Sequence, residues 1–233
     1  MKNLPSMRPL IVLLLVCLAR EALLVSGLCA SVDPYGWSPW SSQLAYRPTN
    51  VLSAPVWPQT VKRVAVLPLA CGLADVPVDY FSAHDPIWRA ALQESHRAEF
   101  VTVSRADLAR WSGRSSFSTS QLLPPDFLER VAALTGADAV AFLEVTSFSP
   151  YGAISIGFRA RITEVVSKGT IWALEDVIQM DQAEVSQAVK DGLTRRESRS
   201  SVVSELNGVK ITPSRAMSYV ASAIAQTLPP RKF

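Results

Sequence analysis

The clearest pattern in this chain is an alternation of apolar and polar side chains within one segment, Ile154–Val165. A period of two predicts a β-strand with one face in the core and the other in water. Ser167-Lys168-Gly169 has the composition of a tight turn, and the apolar stretch Thr170–Met180 follows it. The sequence therefore predicts a hairpin of these two segments, whose Ile156 and Phe158 face packs against helices.

Shorter patterns on either side predict the rest of the fold. Further strands are predicted from apolar runs at 63–69, 100–103 and 138–146. Helices are predicted where apolar residues recur at intervals of three and four, with caps or breakers at Asp85, Ser104, Asp126, Gly136 and Asp181. The order β-α-β-α-α-β-β-β-α-α predicts an α/β fold with α+β character. We expect a mixed sheet of about five strands with helices packed on it.

The first 29 residues predict a secretory signal peptide. Lys2 and Arg8 precede an apolar run, Leu10–Ala19, that is too short to span a bilayer. Arg20 and Glu21 then interrupt the apolar character, which disfavours one long transmembrane helix because central charges cost about 2.5–3.5 kcal/mol each. The pattern predicts export, with the mature chain in the cell envelope.

Cys29 is a candidate lipidation site. It follows the small-residue cluster Val25-Ser26-Gly27, which resembles the lipobox of bacterial lipoproteins, although Leu28 stands where a small residue is usual. Two alternatives stay open: ordinary cleavage after Gly27 or Ala30 with Cys29 incidental, and an uncleaved anchor. A lipid on Cys29 would attach the protein to a membrane.

The predicted domain organisation has three parts. The signal covers 1–29, a Pro- and aromatic-rich tether covers 30–60, and one globular α/β domain covers 61–230. Prolines at the density found in the tether favour extended chain over helix. Its aromatic residues either pack on the domain or form a docking surface, with these tryptophans as candidates: Trp37, Trp40 and Trp57.

Charge and cysteine content narrow the classes of partner. The formal net charge is +3, of which the leader holds +2, so the mature chain is close to neutral and no nucleic-acid partner is expected. Three cysteines are too few for a disulfide framework. The basic loop near 192–207 could touch anionic lipid, or it could simply be solvated.

The sequence has few side chains of the types used in catalysis or metal binding. His84 and His96 are the only histidines, and a zinc site needs three or four ligands, so no metal, cofactor or catalytic residue is predicted. Cys71, His84 and Asp85 could form a nucleophile site, but a helix cap beside a small loop residue is the favoured interpretation.

Arg159 and Arg161 share the polar face of their predicted strand. They form a candidate interaction surface with Glu144 or Asp176, or they make cross-strand ion pairs alone.

Three short motifs resemble the CsgG-like and TolB N-terminal-domain-like group of bacterial envelope proteins. They are the first strand Arg63-Val64-Ala65-Val66-Leu67-Pro68-Leu69, the junction Leu134-Thr135-Gly136-Ala137-Asp138-Ala139-Val140, and Glu144-Val145-Thr146 before a strand pair. The resemblance covers roughly 62–190. It implies periplasmic or outer-membrane lipoproteins that bind proteins or assemble into rings. Channel formation is not implied here, because a tight turn replaces the long membrane hairpins.

The sequence thus predicts a non-enzymatic bacterial cell-envelope protein, facing the periplasm from a membrane anchor or free within it. Its partner would be another envelope protein or further copies of itself. The alternative is a small exported hydrolase or ligand-binding protein. The two classes differ in whether titratable side chains converge in a pocket.

Overall fold

The computed structural model describes residues 46–189 and 212–232, in which seven strands form one mixed sheet. The strands are β1 (Val51–Ser53), β2 (Arg63–Val66), β3 (Ala70–Cys71), β4 (Glu99–Thr102), β5 (Ala139–Ser149), β6 (Ser155–Glu164) and β7 (Thr170–Gln179). Their order across the sheet is β1-β7-β6-β5-β2-β4, and β3 pairs with β5 beyond the end of β2. The mixed α/β fold predicted from the sequence is confirmed.

Pairing direction follows from the connections. The strands β4, β2 and β5 are parallel because helices connect them, and β3 also runs parallel to β5. The strands β5, β6, β7 and β1 are antiparallel to their neighbours. The predicted hairpin is confirmed: β6 and β7 pair from Ser155↔Gln179 to Thr163↔Thr170. Lys168 adopts a positive φ of 57° in its turn.

Five helices surround the sheet. They are α1 (Asp85–Glu94), α2 (Arg105–Ser112), α3 (Phe127–Thr135), α4 (residues 183–189 of the described part) and α5 (Pro213–Ala225). A single 3-10 turn, Ser82–His84, leads into α1. Ser104 caps α2 as predicted, since its hydroxyl accepts a hydrogen bond from the Asp107 amide. Among the described helices, none is both long enough and apolar enough to cross a membrane.

The Thr-Gly-Ala-Asp junction has a clear structural role. Gly136 ends α3 in the left-handed conformation, at φ 67°, which a glycine adopts without strain. The Asp138 carboxylate then accepts hydrogen bonds from the amides of Lys62 and Arg63, at 2.9 and 3.0 Å. The junction therefore aligns the start of β5 with the start of β2.

The sheet has a different packing partner on each face. One face packs against α1, α4 and α5, and it buries the apolar side of the hairpin, including Ile156 and Phe158, as predicted. Trp88 of α1 stacks on Phe158 with ring centroids 4.0 Å apart. The opposite face packs against α2, α3 and Phe117 over β2, β4 and β5. The remainder of that second face is formed by β6, β7 and β1.

Two strands and one helix start differ from the sequence-based expectation. β1 lies inside the predicted tether and β3 follows Pro68, so the sheet has seven strands where about five were expected. Asp85 is the first residue of α1 rather than its cap. Its carboxylate accepts hydrogen bonds from the Leu69 amide and from Arg105, at 2.9 Å each. Those contacts fix the end of β2 to the starts of α1 and α2.

Candidate interaction surface

The outward side of β6, β7 and β1 forms a partly exposed patch that we call the open face. It consists of Leu52, Arg159, Arg161, Ala173, Glu175 and Val177. Leu52 is 67% exposed and Val177 is 47% exposed, whereas the alternate residues of the same strands lie in the core. Exposed apolar side chains next to ordered charges make this face a candidate surface for binding another protein.

Strand register brings these residues together. Leu52 lies opposite Ala173, and Ala173 lies opposite Arg161, so these three form one row across the strands. Glu175 lies opposite Arg159 in the next row, and Val177 lies opposite Gly157 in the row after that. Rows two residues apart are separated by about 7 Å. The open face therefore spans three rows along the strand direction.

Arg159 is paired on two sides. Its Nη2 donates to Glu175 Oε1, and its Nη1 lies 3.8 Å from Glu144 Oε2. The hydrogen bond to Glu175 raises the pKa of Arg159, and the same bond lowers the pKa of Glu175. Both groups therefore stay charged across the ordinary pH range, and their positions on the open face are set by each other.

Glu144 connects the open face to the loop between α2 and α3. It is 5% exposed. Its Oε2 accepts hydrogen bonds from the hydroxyl and the amide of Thr119, at 2.6 and 3.1 Å. This buried carboxylate is thereby satisfied by Thr119 and by the nearby Arg159 cation. The Ser-rich loop, which the sequence alone placed only as a connection, is fixed at Thr119 beside β5.

Arg161 differs from Arg159 in having no acidic partner. Its guanidinium carbon lies 5.2 Å from the centre of the Phe142 ring, and its Nε is buried without a hydrogen-bond acceptor. Among the described residues, no carboxylate forms an ion pair with it. Burial lowers the pKa of Arg161. The side chain is thus a half-buried cation held on an aromatic ring.

A shallow depression of about 290 Å³ lies over these groups. Its lining includes Asn50, Leu52, Thr119, Arg159, Arg161 and Glu175. Apolar carbon from β1 and charged groups from β6 and β7 therefore border the same space. An extended segment with mixed apolar and charged side chains matches this lining better than a purely apolar one.

The structure brings together only some of the predicted surface residues. Arg159 and Arg161 share the open face as expected, but the acid that binds Arg159 on the hairpin is Glu175 and not Asp176. The Asp176 carboxylate accepts a hydrogen bond of 2.9 Å from the Tyr46 hydroxyl instead. Burial and this bond raise the pKa of Tyr46.

Trp57, predicted as part of an interaction surface, is instead a core residue. It is 2% exposed, and its Nε1 donates to the Val61 carbonyl at 2.8 Å. Of the two roles open to this tryptophan, packing on the domain is the one observed. Cys29, Trp37 and Trp40 lie outside the described residues. Leu52 was not predicted, because a single leucine in a Pro-rich segment carries no signal of a strand.

The possible nucleophile site is not assembled as a triad. The Asp85 carboxylate is occupied by Arg105 and the Leu69 amide. Burial lowers the pKa of His84, and the Cys71 thiol packs against the core and donates a hydrogen bond to the Leu73 carbonyl at 4.0 Å. Within the described ranges, no three His, Cys, Asp or Glu side chains are grouped closely enough to hold a metal ion.

The fold and the open face together define a mixed α/β domain with one partly apolar, partly charged exposed face. No protein-family model matches the chain, and no curated protein does.

Solved structures do resemble it. The PelC dodecamer from Paraburkholderia phytofirmans is 16% identical, with 59% of this chain and 86% of that chain covered and a TM-score of 0.39. Lipoprotein GNA1162 from Neisseria meningitidis is 13% identical, with 60% and 99% covered and a TM-score of 0.41. TolB from Acinetobacter baumannii is 12% identical, with 64% and 31% covered and a TM-score of 0.28.

At these identities and TM-scores the likenesses assign neither a partner nor an activity. They include a bacterial lipoprotein and TolB, which is one of the two proteins in the predicted resemblance. The resemblance to CsgG-like proteins stays a prediction. The function is therefore argued below from the residues of this chain.

Proposed function

We propose that this chain is a non-enzymatic protein of the bacterial cell envelope that binds another protein through the open face. The observation that carries the proposal is the exposed Leu52 and Val177 beside the ordered Arg159–Glu175 pair. Arginine is enriched among the residues that supply most of the affinity at protein interfaces, and the buried centre of an interface is more apolar than the rest of the surface. The open face offers both within three neighbouring strands.

Export and anchoring belong to the same proposal. The leader pattern of 1–29 supports passage across the inner membrane, and Cys29 is the residue that a lipid would modify. Two or more acyl chains on one cysteine would hold the protein stably at a membrane, whereas one chain binds only marginally. The intact mass of the mature protein tests this part. An acylated N-terminal cysteine supports the anchor, and an unmodified terminus at Leu28 or Ser31 contradicts it.

The alternative, an exported hydrolase, makes a different prediction about the two histidines. Replacing His84 and His96 together by Gln removes the imidazoles that general-base catalysis would use. We expect this double variant to keep the biological role of the protein. A folded double variant without that role would favour the enzyme. Circular dichroism of the purified variant establishes that it is folded.

Site-specific photo-crosslinking in intact envelopes tests the binding surface. A benzophenone side chain replaces Leu52 in one variant and Val177 in another. The control places it at Leu122, which is 92% exposed and lies in the α2–α3 loop. We expect protein adducts from the two open-face positions and none of the same mass from Leu122. Absence of adducts at both open-face positions would refute binding through this surface. Adduct mass distinguishes a different protein from a second copy.

A further inference from the structure

The most informative feature of the open face is the difference between its two arginines. Arg159 is neutralised by Glu175 and lies near Glu144. Among the described residues, Arg161 forms no ion pair, and its guanidinium carbon lies 5.2 Å from the centre of the Phe142 ring. Its Nε is buried without an acceptor, whereas the side chain as a whole is half-buried and borders the depression. A half-buried cation without a counter-charge is destabilising, and proteins tolerate one where a ligand supplies the missing carboxylate.

The acids nearest to Arg161 are already engaged. Glu175 accepts from Arg159, and Glu144 accepts two hydrogen bonds from Thr119. The row that contains Arg161 continues to Ala173 and Leu52, both without charge. The missing carboxylate has to come from outside the described part of this chain. It would enter through the depression that Leu52 and Arg161 both border.

The rows of the open face also specify what surrounds that carboxylate. Leu52 lies in the same row as Arg161, and Val177 lies two rows further along the strands. Two rows correspond to about 13 Å, or four residues of an extended segment. A segment that lies along β7 from Val177 therefore reaches Leu52 and Arg161 in one row, with Leu52 on one side of Ala173 and Arg161 on the other. An acidic side chain at that point of the segment would face Arg161 while neighbouring residues cover Leu52 and Val177.

We propose that Arg161 binds the carboxylate of an Asp or Glu side chain in an extended, partly apolar segment of the partner protein. The terminal nitrogens of the guanidinium would donate charge-assisted hydrogen bonds to that carboxylate, with the group held in orientation by the Phe142 ring. Leu52 contacts an apolar residue next to the acid, and Val177 contacts one about four residues further along the segment. The inference rests on the proposed function, because it names the partner chemistry of the same surface.

The test uses the full-length protein in envelopes, with the photo-crosslinking side chain at Asn50, which borders the depression and leaves Leu52 intact. Adducts are compared between the otherwise native protein and the variants Arg161→Gln, Arg161→Met and Arg161→Lys. Arg110→Gln is the matched control, because it removes one cation from an exposed pair with Asp107 on α2. Mass spectrometry of the adduct identifies the crosslinked segment of the partner.

We expect Arg161→Gln and Arg161→Met to reduce adduct yield roughly tenfold or more, because each loses a hydrogen bond between charged groups. Arg161→Lys should retain part of the yield, and Arg110→Gln should retain all of it. The crosslinked segment should contain Asp or Glu. Replacing that acid by Arg in the partner should restore the adduct with Arg161→Glu.

Three results would overturn the inference. They are an unchanged yield in Arg161→Gln, a crosslinked segment without an acid, and failure of the charge exchange to restore the adduct. Failure of the proposed function looks different, since no protein adduct would then form at Leu52, Val177 or Asn50 even with Arg161 present. An envelope protein that also crosslinks to the Leu122 control counts against both the proposed function and the inference about Arg161.

Discussion

Replacing Arg161 by Met should make the isolated protein more stable while it weakens binding roughly tenfold or more. The cation–π contact of Arg161 with Phe142, at 5.2 Å, contributes about 0.5–1 kcal/mol at a partly exposed site. Met removes that contribution, but its flexible apolar side chain still covers the aromatic ring.

The opposing term comes from the buried Nε of Arg161. A buried donor without an acceptor costs about 1–3 kcal/mol, and Met removes that cost completely. Burial of the charge adds to it, in agreement with the lowered pKa of Arg161. The difference is a gain of roughly 1 kcal/mol in the free energy of unfolding, which for a domain of this size raises Tm by about 2–4 °C.

Urea denaturation followed by tryptophan fluorescence measures this difference directly. The control is Arg159→Met, which removes the cation beside Glu144 and the partner of Glu175. We expect that variant to lose stability by about 1–2 kcal/mol, since it leaves one largely buried acid without its nearby cation. Arg161→Met could instead lower the free energy of unfolding by about 1 kcal/mol or more, which is typical of removing a stabilising contact. In that case Arg161 stabilises the fold and its assignment as a binding residue is wrong.

Two further predictions concern the surroundings of the open face, and a third concerns His84 on the other side of the sheet. A double-mutant cycle of Thr119→Val with Glu144→Gln should show a coupling of about 1–2 kcal/mol in urea denaturation, and a coupling near zero would contradict the bond between them. Gly157→Ala should lower Tm, because the new Cβ would overlap Ser147 Oγ. Adding Ser147→Gly should recover part of the loss in Tm. Equal Tm values for the single and double variants would refute this cause. His84 has a lowered pKa in the folded protein, so the unfolded chain binds a proton at this histidine more readily, and the free energy of unfolding should fall as the pH drops below about 6.5. His84→Gln should flatten this pH dependence, measured by urea titrations at about pH 5 and pH 7.5. An unchanged pH dependence would show that another group causes it.

Elements whose sequence pattern lies within a few neighbouring residues were predictable from the sequence. The hairpin is specified by its own alternation and by its turn, so β6 and β7 and their buried face agree with expectation. The end of α3 at Gly136 and the cap of α2 at Ser104 are likewise set within a few residues. Such features depend on backbone conformation and side-chain period, both of which can be read directly along the chain.

Elements that exist only through distant contacts were not predictable. β1 has three residues in a Pro-rich segment, and it is a strand because β7 provides hydrogen-bonding partners for it. β3 has two residues and forms only against β5. The same reason explains Trp57, whose burial depends on the completed core, and Thr119, whose partner Glu144 is 25 residues away. None of these pairings leaves a periodic trace.

The sequence identified Arg159 and Arg161 as candidate surface residues, but it could not show that their surroundings differ. Arg159 and Arg161 stand two residues apart on one strand, so their pattern is identical, and only cross-strand register assigns Glu175 to one and uncharged Ala173 to the other. A two-residue slip of β7 would place Glu175 opposite Arg161, and a one-residue slip would bury the charged side of β7. The apolar hairpin face fixes the register against α1 and α5, and that register leaves Arg161 without an acid. Among the described residues, Arg161 is therefore left without an acid because of how the core packs. Packing on one side of these strands thus determines which charges are paired on the other side.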